Sequence, residues 1–175
     1  MGDSLSAGYG IRPEQAWPML LDKRLNEKHL DYSVANVSIS GETTAGGRAR
    51  LAEALQRHKP AVVVIALGAN DGLRGLPLAQ MRDNLEAMLD AAHAAGARTL
   101  LIGIRLPPNY GPYAVEFEKI FWETAKRKKS AKLDFLLAPI AAERAFFQAD
   151  NLHPTAEAQP LLLEGVWPSL QPLLK

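Results

Sequence analysis

Residues 61–67 (AVVVIAL) constrain the fold more than any other part of the sequence. A run of apolar, mostly β-branched residues is typical of a strand that is buried on both faces of a parallel sheet. Residues 99–104 predict a second strand, residues 133–137 a short third one, and residues 31–40 (DYSVANVSIS) an alternating one. A sheet of this kind needs helices on both of its faces.

Segments with helical spacing alternate with these strands. Apolar positions predict helices over residues 14–29, from Thr43 or Thr44 to Arg57, over 77–95, over 115–129, and a terminal helix from Thr155 that is broken near Pro160 and Pro168. The alternation predicts an α/β fold with three layers, α/β/α, around a flavodoxin-like parallel sheet. A chain of 175 residues, 47% of them hydrophobic, is long enough for one core, so we expect a single domain over residues 1–175.

The composition argues against several classes of function. A net charge of +1 gives no electrostatic footprint for nucleic acid, and no apolar run approaches the ~20 residues that span a bilayer. The sequence contains no cysteine, so it offers no thiol nucleophile, disulfide or zinc-thiolate site. We therefore expect no nucleic-acid partner and no stable membrane insertion, and the oligomeric state stays open.

The first ten residues (MGDSLSAGYG) contain a candidate nucleophile, Ser4. Small and turn-forming neighbours allow the sharp bend that holds a hydroxyl at the mouth of a cleft. Ser6 or Ala7 can open a helix whose N-terminal dipole favours developing negative charge. An ordinary surface turn is the alternative interpretation, because Gly, Asp and Ser are common turn residues.

One feature conflicts with this fold. If Ser4 follows a strand, that strand must lie before Gly2, where the sequence contains only Met1. In a sheet ordered 2-1-3-4-5 the first strand is central, and we expect it to be missing or truncated here. Its loss would leave two neighbouring strands unpaired and remove apolar side chains from the core.

Residues 149–154 (ADNLHP) contain a candidate base, His153. Asp150 lies three residues earlier, close enough to reach back to the imidazole and hold one tautomer. The other histidines, at positions 29, 58 and 93, lie at helix ends or in an alanine-rich helix and are poorer candidates. A histidine that merely precedes a helix is the alternative interpretation.

A serine nucleophile also needs hydrogen-bond donors for the oxyanion that forms when it attacks a carbonyl. The backbone amides of Ser4 and Gly41 and the side-chain amide of Asn70 can supply three if their loops converge. These loops and the one containing Tyr110 all follow predicted strands, where sites form in parallel sheets. A strand-ending turn at Gly41 and an Asx-turn at Asn70 are the alternatives.

Together these stretches resemble the GDSL or SGNH hydrolase family. The matching blocks are Gly2-Asp3-Ser4-Leu5, Gly41, Gly68-Ala69-Asn70-Asp71 and Asp150-Asn151-Leu152-His153-Pro154. Four longer stretches are similar to its bacterial thioesterase/lysophospholipase/arylesterase branch: GDSLSAGYG, SISGE, NDGLRG and IRLPPNYG. The resemblance implies that Ser4 is the nucleophile, His153 the base and Asp150 its orienter. Gly41 and Asn70 would join the Ser4 amide in the oxyanion hole.

The same resemblance implies the substrate contacts and the compartment. Residues 71–77 would form a mobile lid over the acyl chain, and residues 107–110 a wall of the acyl groove. The substrate-binding candidates are Asp71, Gly72, Leu73, Leu76, Pro107 and Tyr110. Passive connections are the alternative for both segments. Members of this branch are usually exported, so a periplasmic or secreted location is expected even though the sequence shows no signal peptide; the cytoplasm is the alternative.

The predicted activity is hydrolysis of carboxylic esters or acyl thioesters through an acyl-enzyme on Ser4, with no metal or organic cofactor. One alternative is a metal-dependent phosphoesterase, with ligands from Asp3, Asp71, Asp150 and His153. The other is a non-catalytic, flavodoxin-like binding module, since a fold alone does not determine function.

Overall fold

The computed structural model describes all residues from 1 to 175. Its sheet contains three parallel strands in the order β1-β2-β3: β1 Val62–Ile65, β2 Arg98–Ile102 and β3 Ala131–Leu133. Val63 pairs with Thr99 across the first interface, and Leu101 pairs with Lys132 across the second. The continuous apolar run therefore forms a parallel strand, as predicted.

Seven α-helices surround the sheet: α1 Ser4–Ala7, α2 Trp17–Glu27, α3 Thr44–His58, α4 Ala69–Leu73, α5 Leu78–Ala94, α6 Pro112–Arg127 and α7 Gln159–Leu170. Short 3-10 turns occupy Pro13–Gln15, Pro108–Tyr110, Arg144–Phe146 and Gln171–Leu173. Helices α3, α5 and α6 pack side by side, and α2 packs against α7. The result is the predicted three-layer α/β/α architecture. None of these helices combines the length and apolar character needed to cross a membrane.

The core lies between β2 and the helices that cover it. Leu100, Leu101 and Ile102 of β2 are fully buried. They belong to the same cluster as the apolar face of α5, which consists of Met81, Leu85, Met88, Leu89 and Ala92. Spacings of three and four residues bring these α5 side chains onto one side of the helix, which is why the pattern predicted it.

Residues 31–40 do not form the predicted strand. The Ile39 amide donates to the Gly2 carbonyl (3.0 Å), and the Val34 amide donates to Asp22 Oδ1 (2.7 Å). On its other side Gly2 forms an isolated parallel bridge with Ala66, so Gly2 lies between this segment and the end of β1. A ladder needs a partner backbone along its whole length, and Gly2 contacts this segment only near its end, at Ile39.

Several element boundaries also differ from the predictions. Helix α1 begins at Ser4 itself rather than at Ser6 or Ala7, and α4 forms within a segment predicted as a loop. β3 begins two residues before the predicted strand and ends where that strand was expected to start. The terminal helix is not broken: Pro160 lies in the first turn of α7, where its missing N–H costs nothing, and Pro168 lies inside the helix near its end.

An apolar cavity of about 180 Å³ lies beside Met1, between α2, residues 32–38 and β1. The Met1 ammonium donates to the Val64 carbonyl (3.1 Å), and burial lowers the pKa of this amine to about 5. Three polar atoms of residues that line the cavity have no hydrogen-bond partner: Ser6 Oγ, Trp17 Nε1 and Ser38 Oγ. Each buried polar atom without a hydrogen-bond partner lowers the stability of the fold, so the region around this cavity contributes less stability than a fully hydrogen-bonded one.

Candidate active site

Ser4 is the first residue of α1, directly after the helix N-cap, Asp3. Asp3 Oδ1 accepts the Leu5 amide (3.0 Å), and Gly8 ends the helix in the left-handed conformation, with φ of 78°. A residue at this position has no acceptor for its own amide inside the helix. The Ser4 amide and hydroxyl are therefore both available at the same helix end.

His153 lies in a tight loop that an antiparallel bridge between Phe147 and Pro154 closes. Asp150 Oδ1 accepts the backbone amides of Leu152 (2.9 Å) and His153 (3.0 Å), while its Oδ2 lies 2.7 Å from His153 Nδ1. These bonds, the one to the imidazole first, hold the pKa of Asp150 well below its usual range. The carboxylate thus fixes both the loop and the orientation of the ring.

The two loops meet at the Ser4 hydroxyl. His153 Nε2 lies 2.8 Å from Ser4 Oγ, although the residues are 149 positions apart. Hydroxyl, imidazole and carboxylate therefore form one continuous hydrogen-bonded row. The structure brings together the three side chains that the sequence proposed for catalysis.

A cleft of about 170 Å³ opens beside this row. All three predicted oxyanion donors, on Ser4, Gly41 and Asn70, belong to residues that line it. The Ser4 and Gly41 amides have no acceptor within the protein. Asn70 Nδ2 donates one proton to the Glu42 carbonyl (2.9 Å), which leaves its second proton unused.

Side chains from α4 and the residue that follows it hold the Gly41 loop. Gly41 has φ of 81°, which a glycine adopts without strain, and its carbonyl accepts a hydrogen bond from Arg74 Nη2 (3.1 Å). Asp71 accepts both the amide (2.9 Å) and the hydroxyl (2.5 Å) of Thr44, the first residue of α3. Together with the Asn70 bond, these contacts hold two of the predicted oxyanion donors, on Gly41 and Asn70, close to each other.

Most of the predicted substrate contacts lie elsewhere. Leu73 lines the cleft, but Asp71, Gly72, Leu76, Pro107 and Tyr110 do not. Asp71 is 3% exposed and bonded to Thr44, and Gly72 is buried where a Cβ would collide with Phe117 and Leu106. In this structure these two residues therefore lie behind the cleft and not at its surface. The Tyr110 hydroxyl donates to the Leu73 carbonyl (3.1 Å), so Tyr110 supports the cleft wall from behind.

Sequence reasoning missed other residues of the cleft, namely Leu5, Tyr9, Ser40, Ala69 and Leu152. Tyr9 is the most informative of these, because its ring lies 4.4 Å from the His153 ring, centroid to centroid, at an angle of 40°. It is 51% exposed. An aromatic residue between two glycines in the Ser4 motif was the available clue.

Asp3 is fully buried behind the nucleophile, and its Oδ2 has no partner. Burial raises the pKa of Asp3 to about 6, against the opposing effects of the Leu5 amide and His153. The four residues of the metal-site alternative do not form a ligand cluster: no group of three or more acidic or histidine side chains is arranged to hold a metal ion. Asp71 is instead bonded to Thr44.

A serine, histidine and aspartate in hydrogen-bonded sequence, beside unpaired amides and at the end of a parallel α/β sheet, define a serine hydrolase. Comparison with known proteins then identifies the family. A sequence profile of the GDSL-like Lipase/Acylhydrolase family matches residues 1–160. The chain belongs to this family.

Named relatives agree with this class. The chain is 50% identical over 175 residues to "Esterase TesA" of Pseudomonas aeruginosa, covering 99% of this chain and 87% of the relative. It is 41% identical over 175 residues to "Thioesterase 1/protease 1/lysophospholipase L1" of Escherichia coli K12, covering 99% and 83%. The crystal structure of the psychrotrophic esterase EstA from Pseudoalteromonas, inhibited by monoethylphosphonate, has a TM-score of 0.94 at 39% identity, covering 99% of this chain and 96% of that one. The protein is a carboxylic-ester hydrolase of the serine esterase/thioesterase type.

Proposed function

We propose that Ser4 is the acyl-accepting nucleophile of this esterase, with His153 as its general base and Asp150 as the residue that orients the base. The observation that carries the proposal is the row of two short contacts, 2.8 Å from Ser4 Oγ to His153 Nε2 and 2.7 Å from His153 Nδ1 to Asp150 Oδ2. Each contact lies within the range required for proton transfer or for ring orientation.

The reaction proceeds in two halves. His153 Nε2 takes the Ser4 proton as Oγ attacks the ester or thioester carbonyl, and the resulting imidazolium gives that proton to the departing alcohol or thiol. Water then attacks the acyl-enzyme, with the same nitrogen as base, and the acid leaves as Ser4 regains its proton. Asp150 stays ionised throughout, since its pKa lies well below the usual range, and it stabilises the imidazolium in both halves.

The oxyanion of each tetrahedral intermediate binds at the amides of Ser4 and Gly41 and at the free proton of the Asn70 side chain. Two of these donors have no other acceptor in the protein, so binding the oxyanion breaks no existing hydrogen bond at either of them. Donors that are already in place cost no reorganisation during the reaction, and one such donor is typically worth ~3 kcal/mol of barrier.

The substrates are small-molecule acyl esters or thioesters. The names of the relatives, esterase and thioesterase/lysophospholipase, support this range. Leu5, Leu73 and Leu152 give the cleft an apolar wall that suits an acyl chain. Residues 71–77 serve as the lid, with Pro107 and Tyr110 behind it. For the whole lid to move, its bonds to Thr44, to the Gly41 carbonyl and to the Tyr110 hydroxyl must break.

We also propose that residues 1–175 work as a single SGNH hydrolase domain in the periplasm or outside the cell. One buried cluster extends from Leu5 to Leu170, which supports one cooperative unit. The kinship with the branch of thioesterases and lysophospholipases supports the location.

The test is hydrolysis of nitrophenyl esters of increasing acyl length, and of an acyl thioester, by the native chain and by Ser4→Ala. The native chain should turn over both classes, and a fluorophosphonate should label it at Ser4. Ser169→Ala, on α7, is the matched control and should behave as the native chain. Undiminished turnover in Ser4→Ala, or labelling at another residue, would contradict the proposal.

A further inference from the structure

The catalytic row joins two loops from opposite ends of the sequence. The nucleophile segment, residues 4–11, carries Ser4, and the histidine loop, residues 147–154, carries His153 and Asp150. The Ser4–His153 bond is one of only two hydrogen bonds between them. Since that bond breaks and reforms during the reaction, something else must hold the loops in register.

The second bond comes from the side chain of Gln148. Gln148 Nε2 donates to the Tyr9 carbonyl (2.8 Å) in the nucleophile segment and to the Pro154 carbonyl (2.9 Å) in the histidine loop. The backbone amide of Gln148 donates to the His153 carbonyl (2.8 Å), so the backbone of Gln148 is itself fixed within the histidine loop. One primary amide thus bridges the residue after His153 and the residue whose ring contacts His153.

The backbone around Tyr9 is shaped to accept this bridge. Gly8 and Gly10, on either side, both have left-handed φ angles, 78° and 74°. A Cβ at Gly10 would collide with Gln148 Oε1, and a Cβ at Gly8 would come within 2.9 Å of Ala16 Cβ. The two glycines therefore allow the carbonyl of Tyr9 to face Gln148 while its ring covers His153.

We propose that Gln148 is a positioning residue, which sets the distance between Ser4 and His153 by clamping the nucleophile segment to the histidine loop. This inference rests on the catalytic roles proposed above. A primary amide offers two N–H donors from one atom, which matches two carbonyl acceptors; a carboxylate has no donor for either. Gln148 does not line the cleft, so it acts through the other residues and not on the substrate.

The clamp predicts a specific kinetic signature. Loosening it leaves the cleft and its apolar wall unchanged, so KM should stay within about twofold, whereas kcat should fall at least ~10-fold because small misplacements of catalytic groups are costly. The fluorophosphonate labelling rate should fall with kcat, since labelling also needs His153 to take the Ser4 proton.

The experiment compares Gln148→Ala and Gln148→Glu with Gln56→Ala and Gln56→Glu. Gln56 is exposed on α3, so it serves as a matched control for both substitutions. Each variant is assayed for kcat and KM on nitrophenyl acetate, fluorophosphonate labelling rate and Tm. NMR then reports the imidazole proton between His153 and Asp150, which belongs to the histidine loop alone and should persist in Gln148→Ala.

The inference holds if both Gln148 variants lose kcat and labelling rate together, with KM and the imidazole proton retained and the Gln56 variants unchanged. It is overturned if kcat is unaffected, if KM rises in its place, or if the imidazole proton disappears, because then Gln148 acts on substrate or only builds its own loop. Ser4→Ala in the same assay separates the two proposals: residual activity there contradicts the nucleophile, whereas an inactive Ser4→Ala beside normal Gln148 variants contradicts only the clamp.

Discussion

The cleft beside Ser4 and the cavity beside Met1 have nearly the same volume, about 170 and 180 Å³, but they differ in how their polar groups are satisfied. In the cleft, Asp150 holds its own loop, Asn70 holds the loop that contains Gly41, and the unpaired amides of Ser4 and Gly41 belong to residues that line the cleft. In the cavity, three polar atoms have no partner, and the buried Met1 amine has a pKa that burial lowers to about 5.

The difference shows that the two loops of the catalytic end are each stabilised by bonds within themselves, which do not depend on the width of the sheet. The Asp150 loop closes on itself, and α1 is capped by its own Asp3. The region beside Met1 depends on strand pairing, which neither β1 nor residues 31–40 can supply alone. Four predictions follow from this contrast, beginning with the largest effect.

Ser4→Ala should abolish turnover at the cleft while leaving the stability of the molecule unchanged. Loss of a triad nucleophile typically lowers kcat by 10⁴-fold or more, roughly 5 kcal/mol. Ser4 Oγ bonds only to His153 Nε2, so its removal leaves no buried group unpaired. Steady-state kinetics and a urea melt on the same sample test both halves; a large loss of stability would mean that the site is not independent of the fold.

Asn70→Ala should lower kcat by about 10²-fold, near 3 kcal/mol, with little change in KM. The Asn70 side chain is a proposed oxyanion donor and also donates to the Glu42 carbonyl. Asn26→Ala, at an exposed position on α2, is the control and should keep native kcat. A rise in KM with kcat unchanged would assign Asn70 to ground-state binding instead.

An extension of about six apolar, β-branched residues before Met1 should stabilise the protein by ~2 kcal/mol or more, because it would bury the edge of β1 and fill the cavity. It also converts the Met1 amine, whose charged form is disfavoured by burial, to an amide that carries no charge at any pH. Urea melts of the two chains measure the gain, and an extension of equal length made of Gly and Ser is the control. Equal midpoints for all three chains would contradict the expected pairing of the added residues with β1.

Asp3→Asn should remove a pH-dependent loss of folding stability that arises at the buried carboxyl behind Ser4. Burial raises the pKa of Asp3 from 3.8 to about 6, so its ionised form is disfavoured in the folded state. The free energy of unfolding of the native chain should therefore decrease as the pH rises from about 4 through 6. The difference in unfolding free energy between the Asn variant and the native chain should grow by about 1 kcal/mol from about pH 5 to pH 8. Asn keeps the oxygen that accepts the Leu5 amide, so the helix cap survives. A constant difference between the two chains across this range would show that Asp3 is not strained by burial.

Much of the fold was predictable because its apolar residues repeat with the period of the element they form. The run at 61–67 and the spacing of α5 each identify their element without reference to the rest of the chain. Residues 31–40 show the limit of this reasoning: they alternate as a strand does, yet they form no ladder, because pairing belongs to two segments and not to one.

The candidate triad was predictable for a related reason. Ser4 and the pair Asp150 and His153 each sit in a short motif whose residue types suit one chemical role, and Asp150 reaches His153 within a single loop. The lining of the cleft was harder to predict, since Asp71 and Gly72 stand in the same motif as Asn70 but are buried in the interior. Which face of a five-residue helix meets the cleft depends on what packs behind it.

By itself, then, the sequence determined the periodic elements, the chemistry of each motif and the class of reaction, because these depend on neighbours along the chain. Only the tertiary structure decided that Ser4 lies 2.8 Å from His153, that Tyr9 covers the imidazole, and that Gln148 joins the two loops. These contacts connect residues more than 130 positions apart, and their geometry is set by how the core packs and where the chain turns.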